Sequence, residues 1–132
     1  MRRIYKKGEI KMVKISEAEL DVLQVIWEKK QATSFDIIEK VKNKNWSNNT
    51  VRTLIKRLYK KGAIEIIKKE GKTFTYDAKI TESEYQTKEG NRFLDKIFRG
   101  SMDNLLLNFV KQEQLSKKDL ENLLDKINKE VK

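Results

Sequence analysis

One short run of this 132-residue chain carries side chains suited to meeting a polyanion. Between positions 49 and 60 stand Asn49, Thr50, Arg52, Thr53, Lys56, Arg57 and Lys60. On a helical projection Val51, Leu54, Ile55 and Leu58 cluster on one narrow face. Asn49, Arg52, Thr53, Lys56 and Lys60 point the other way, with Thr50 and Arg57 flanking them. Short polar groups near a helix start reach base edges, and Arg or Lys beside them reaches guanine or phosphate. The amides of such a helix start also attract a phosphate. An ordinary solvated helix face has a similar composition, so the run takes its meaning from its surroundings.

Composition removes most other chemistry. The chain has no Cys, which excludes disulfides, iron–sulfur clusters and Cys-based zinc sites. It has no His, so the common zinc ligand and the common general base are missing too. Scattered carboxylates on amphipathic stretches are ordinary solvated charges. The expectation is no enzyme, no metal, no cofactor and no small-molecule substrate. No apolar run approaches the roughly 18–20 residues of a membrane span. The basic N-terminus is not followed by the apolar core of a secretory signal. A soluble cytoplasmic protein is expected.

The net charge is +10. Residues 1–80 hold 20 Lys and Arg against 10 Asp and Glu, whereas residues 81–132 hold 10 of each. The whole excess lies in the N-terminal part, which suggests one part that meets a polyanion and another with a different task.

The elements that must position the cationic run can be read from periodicity and caps. Ser16-Glu17-Ala18-Glu19 is a capping box and predicts a helix over 17–29, lined by Leu20, Leu23, Ile26 and Trp27 with Val22 and Val25. Thr33 and Asp36 mark a second start. That helix is lined by Phe35, Ile37, Ile38 and Val41 and ends near Lys42. Ser47 begins the third helix and Gly62 stops it. From Ala63 to Lys69 the sequence turns β-branched, Glu70-Gly71 reads as a two-residue turn, and Thr73 to Tyr76 return with alternation. Three helices followed by a hairpin is the order of a winged helix-turn-helix. The wing tip is Lys69 to Lys72, so Lys72 joins the cationic set.

Beyond Thr81 three more helices are expected. The first carries Tyr85, Phe93, Leu94, Ile97 and Phe98 up to Gly100. The second carries Leu105, Leu106, Leu107, Phe109 and Val110. The last starts at Ser116 and carries Leu120, Leu123, Leu124 and Ile127. So short a piece rarely supports its own core. Its stripes are buried against a second copy of the chain, or else folded back on the same chain's winged helix; dimerisation is the simpler solution. The expected fold is mainly α with a small β-hairpin wing: a basic extension over 1–13, a winged-helix DNA-binding domain over 14–80, and a three-helix dimerisation domain over 81–132.

Four segments carry a family resemblance. They are Ile15-Ser16-Glu17-Ala18-Glu19, Ile26-Trp27-Glu28-Lys29-Lys30, the run from Thr50 through Arg57 to Gly62, and Leu105-Leu106-Leu107-Asn108-Phe109-Val110. Over residues 14–128 the chain resembles the BlaI/MecI-type penicillinase and methicillin-resistance repressors. The resemblance implies a homodimeric repressor that binds double-stranded inverted-repeat operators of β-lactam-resistance genes, with half-sites built around TACA/TGTA. It implies release by proteolysis between Asn108 and Phe109 after a membrane sensor or protease detects a β-lactam. Many relatives carry Lys where Asn49 stands, so the operator sequence stays open. Copper-responsive cousins carry paired Cys near the C-terminus, and this chain has none.

Two alternatives remain beside this reading: the same fold repressing another operon under another signal, and a winged helix used only for protein interaction. A last expectation concerns the start. The resemblance begins near Lys14, just after Met12, and Lys7-Gly8-Glu9 can be encoded by a purine-rich stretch resembling a ribosome-binding site. Met1 to Lys11 is therefore read as a mis-assigned upstream start, with a basic arm of Arg2, Arg3, Lys6 and Lys7 as the rival.

Overall fold

The computed structural model describes residues 14–130, so the extension and the reading of Met12 as the start lie outside the described residues. The first helix, α1 (Glu17–Lys29), begins where the capping box predicts. The Ser16 hydroxyl accepts from the Glu19 amide at 3.1 Å, and the Glu19 carboxylate accepts from the Ser16 amide at 2.9 Å. Thr33 and Asp36 make the same reciprocal cap for α2 (Ser34–Lys40). This helix closes before Lys42. The chain tightens into a 3-10 turn at Lys42–Lys44, with amide bonds from Lys44 to Val41 and from Asn45 to Lys42.

Phe35 is a correction. Expected on the apolar stripe of α2, it is 72% exposed. Two residues before Ile37, it falls on the opposite side of the helix from that buried side chain.

The third helix, α3 (Asn48–Lys60), starts at a Ser47 cap, where the hydroxyl accepts from the Thr50 amide. It ends in a reversal at Gly62 (φ +78°), which lets the Ala63 amide reach the Leu58 carbonyl at 3.0 Å. A hairpin follows, β2 (Ile64–Glu70) and β3 (Thr73–Ala78). Its turn is Gly71-Lys72, with Glu70 opposite Thr73, one residue later than the expected Glu70-Gly71. Gly71 takes the positive φ (+60°) that the tight turn demands. The strands slip register between Ile66 and Lys68, a bulge that the alternation of the sequence does not announce. A third strand, also absent from the sequence reading, is β1 (Ala32–Thr33). It pairs antiparallel with β3, giving the order β1-β3-β2.

Inside this frame Leu23, Ile26, Ile37, Val51, Leu58 and Ile64 are essentially sealed from solvent. The Trp27 indole N–H donates to the Ile80 carbonyl at 2.8 Å, and its ring lies 5.7 Å from that of Tyr85. The chain divides into two compact units, Met1–Gln86 and Thr87–Lys132. The first runs past Thr81 because Tyr85 packs on the winged-helix core.

The remaining helices are α4 (Glu82–Phe98), α5 (Met102–Lys111) and α6 (Lys117–Glu130). Hydroxyls of Thr81, Ser101 and Ser116 cap their starts. None of the three contains a buried residue. No helix among the described residues is long and apolar enough to cross a membrane.

Candidate nucleic-acid interface

The presenting face of α3 is fixed from behind. Val51, Leu54, Ile55 and Leu58 are each at most 5% exposed, so the helix cannot roll without uncovering its stripe. Asn49, Thr50, Arg52, Thr53, Lys56, Arg57 and Lys60 are all exposed. No acidic residue stands in the first turn of α3, so no carboxylate of that turn offsets the positive end of its dipole.

Two of the short polar groups are partly engaged with the helix itself. The Thr50 hydroxyl shares a 2.9 Å hydrogen bond with the Ser47 hydroxyl. The Thr53 hydroxyl donates its proton to the Asn49 carbonyl at 3.0 Å. Thr53 therefore offers a partner its methyl group and its oxygen lone pairs, not its proton.

Several cations of the first unit are held in surface ion pairs. Lys42 pairs with Glu39 at 3.0 Å, Lys44 with Asp21 at 3.4 Å, Lys40 with Glu28 at 3.5 Å and Lys68 with Glu70 at 2.7 Å. By contrast, Arg52, Lys56, Arg57, Lys60 and Lys72 have no salt bridge to any described carboxylate. Lys30, Lys69 and Lys79 likewise form no salt bridge to a described carboxylate, so the candidate face is marked by the clustering of its free cations.

The wing stands beside this face. Lys72 is exposed in its turn, and the Lys69 ammonium lies 5.5 Å from the centre of the Phe74 ring. Between α3 and the hairpin is a cleft of about 390 Å³ that brings Lys72 together with Arg52 and Lys56. Asn49, Thr50, Thr53, Arg57 and Lys60 lie outside it. Its apolar lining includes Tyr59, Phe74 and Tyr76, none of which stood out in the sequence as a site residue. Burial, and then the neighbouring Tyr59 phenol, push the Tyr76 hydroxyl above its ordinary pKa.

A positioning pair was also missed. Lys61, at the C-terminal cap of α3, donates to the Glu19 carboxylate and, at 2.7 Å, to the Lys14 carbonyl. Glu19 is 2% exposed. Burial pushes its carboxyl up, but hydrogen bonds from Lys61 and the Ser16 amide, with the Lys61 charge, outweigh burial and hold it below its usual value. The pair ties the end of α3 to the start of α1 across 42 residues of sequence, and no local pattern announces it.

In the second unit, Leu105, Leu106 and Leu120 are half-buried. Leu107, Phe109, Val110, Leu123, Leu124 and Ile127 are 37–57% exposed. Asn108 is exposed, and its carbonyl accepts from the Gln112 amide at 3.0 Å, so the bond to Phe109 lies inside the last turn of α5. Among the described residues no cluster of three or more acidic side chains is placed to hold a metal ion.

Residues 15–129 match the penicillinase repressor family. The chain is similar to the methicillin resistance regulatory protein MecI of Staphylococcus aureus (strain N315), with 43% identity over 120 residues, 90% of this chain and 97% of that protein. It is similar to the penicillinase repressor of Staphylococcus aureus, with 43% identity over 119 residues, 89% of this chain and 94% of that protein. Among solved structures it is similar to the DNA binding domain of the repressor BlaI: 41% identity, 57% of this chain, 92% of that one, and a TM-score of 0.51. The chain belongs to the penicillinase repressor family of DNA-binding winged-helix transcription regulators.

Proposed function

We propose that this chain is a homodimeric repressor of β-lactam-resistance-type genes, released from its operator by cleavage between Asn108 and Phe109. The observation that carries the DNA-binding part is the clustering of exposed cations that have no described ion-pair partner: Arg52, Lys56, Arg57 and Lys60 on α3, and Lys72 in the wing turn beside it. In this reading the start of α3 enters the major groove. Thr53 and Asn49 meet base edges, Arg52, Lys56, Arg57 and Lys60 meet phosphate or guanine, and Lys72 meets the flanking backbone.

The absence of any buried residue in α4, α5 and α6 supports a second copy as the cover for their apolar faces. Two linked reading heads then raise the effective concentration of each for its half-site. Cleavage separates Leu105 to Leu107 from Leu120, Leu123, Leu124 and Ile127. Fully burying such a side chain stabilises by about 1.5–3 kcal/mol, so losing several removes a modest dimer's free energy. A protease must first unwind the last turn of α5 to reach the bond, which makes local opening part of the release step. The sensor that starts it is a membrane β-lactam receptor, a partner implied by the family.

Footprinting the full chain on its own upstream region tests the proposal. Two protected half-sites, related by a two-fold axis and spaced by about one helical turn or a multiple of it, are expected. Uniform or absent protection contradicts it. A second reading keeps the repressor but changes the operon and the release signal. It predicts such a footprint on a promoter unrelated to β-lactam resistance.

A further inference from the structure

The cleft between α3 and the wing has two kinds of lining. Ile55, Tyr59, Ile66, Phe74 and Tyr76 form an aromatic and aliphatic interior, while the charged groups lining it, Arg52, Lys56 and Lys72, are all positive. Phe74 and Tyr76 meet edge to face with ring centres 6.4 Å apart, which sets up two ring surfaces at an angle. Tyr59 and Ile66 remain 49% and 38% exposed, so apolar area is left open to water next to three cations that have no described ion-pair partner. Phosphate alone satisfies the cations and leaves the rings wet. A neutral apolar molecule does the reverse. The roughly 390 Å³ volume falls within the usual range of small-ligand sites.

We propose that this cleft binds a planar aromatic carboxylate, its ring system against Tyr59, Phe74 and Tyr76 and its carboxylate against Arg52, Lys56 or Lys72. Arg52 offers a two-pronged donor for the carboxylate, and the lysines add charge from the helix and the wing. Because these three cations also belong to the operator-binding face, an occupied cleft opposes DNA binding. That competition rests on the operator-binding reading, whereas binding of the carboxylate to DNA-free protein does not, so the two fail separately.

The test is calorimetric titration of the full chain, without DNA, with 2-naphthoate as the probe. Saturable binding of one molecule per chain is expected. The neutral analogue 2-naphthalenemethanol and the non-aromatic cyclohexanecarboxylate each bind at least roughly tenfold more weakly, since each lacks half of the recognition. Lys56→Gln and Tyr59→Ala weaken 2-naphthoate binding to a similar degree, and Lys118→Gln on α6 does not. Lys56 is exposed, so its variant reports on the cleft even if Tyr59→Ala perturbs folding. A second arm adds 2-naphthoate to the protein–DNA complex at constant ionic strength and expects DNA release. Four results overturn the proposal: no saturable binding, equal binding of the neutral alcohol, equal binding of cyclohexanecarboxylate, or 2-naphthoate binding unchanged in both variants.

Discussion

Thr53 and Arg52 are neighbours on the exposed face of α3, yet their chemistry differs. With its proton given to the Asn49 carbonyl, Thr53 presents a methyl group and lone pairs, a combination suited to a thymine methyl or a cytosine amino group. Thr53→Ala should therefore narrow the gap between operator and random duplex by about 1–3 kcal/mol. Arg52→Ala should weaken both duplexes alike where the guanidinium meets phosphate, and narrow the gap as Thr53→Ala does where it meets guanine. Competitive gel retardation with the two duplexes separates these outcomes. Equal weakening by Thr53→Ala removes its role as a base reader.

Lys61 acts on stability at the same scale. Its removal leaves the buried Glu19 carboxylate without its strongest counter-charge, so Lys61→Met should cost about 1–3 kcal/mol near neutral pH. Glu19 has a lowered folded pKa, so its contribution is present above the unfolded carboxylate value and lost as pH falls through the folded one. The gap between wild type and Lys61→Met should thus shrink below about pH 4.5, the ordinary Glu value. Urea unfolding at matched protein concentration, at neutral and at acid pH, measures it. A gap that is independent of pH contradicts the pairing.

At the scale of elements, what the sequence makes legible is local. The caps at Ser16 and Thr33 join residues three apart, and the α3 stripe repeats every three or four residues, so spacing alone reveals both. What it hides depends on partners far along the chain. β1 is two residues long and exists only because β3 lies beside Ala32 and Thr33. The hairpin register depends on a bulge that hydrophobic alternation does not encode. The cleft requires α3 and the wing to be brought together, so Tyr59 and Tyr76 read in sequence only as members of a helix and a strand. For the reading set, helical spacing shows which residues share a face, while their freedom from ion pairs emerges only in three dimensions.

Gly62 offers a test at this scale. It sits at φ +78° with open space where a Cβ would stand, so Gly62→Ala meets no clash and pays only for the backbone conformation. A loss of about 1–2 kcal/mol is expected from that conformation, seen as a lower denaturation midpoint with an unchanged m-value. Unchanged stability contradicts the role given to this reversal between recognition helix and wing.

For the whole molecule, the free cations of the first unit and the uncovered apolar faces of the second call for two different partners, DNA and a second copy. A chain made directly as residues 1–108 should keep the winged helix and lose α6 together with the end of α5. It should sediment as a monomer and retain only weak half-site binding. If it stays dimeric and holds the operator as tightly as the full chain, cleavage after Asn108 is not the release mechanism.

In the proposed complex Arg52, Lys56, Arg57, Lys60 and Lys72, unpaired in the free chain, meet the DNA backbone or guanine. The most direct test is the salt dependence of full-chain binding to operator duplex. Each phosphate neutralised contributes a slope of roughly −0.9 to log K against log salt. A steep linear fall is expected, made shallower by Lys56→Gln and by Lys72→Gln but not by Lys42→Gln, whose cation is paired with Glu39. A slope near zero, or one equally reduced by Lys42→Gln, would contradict it.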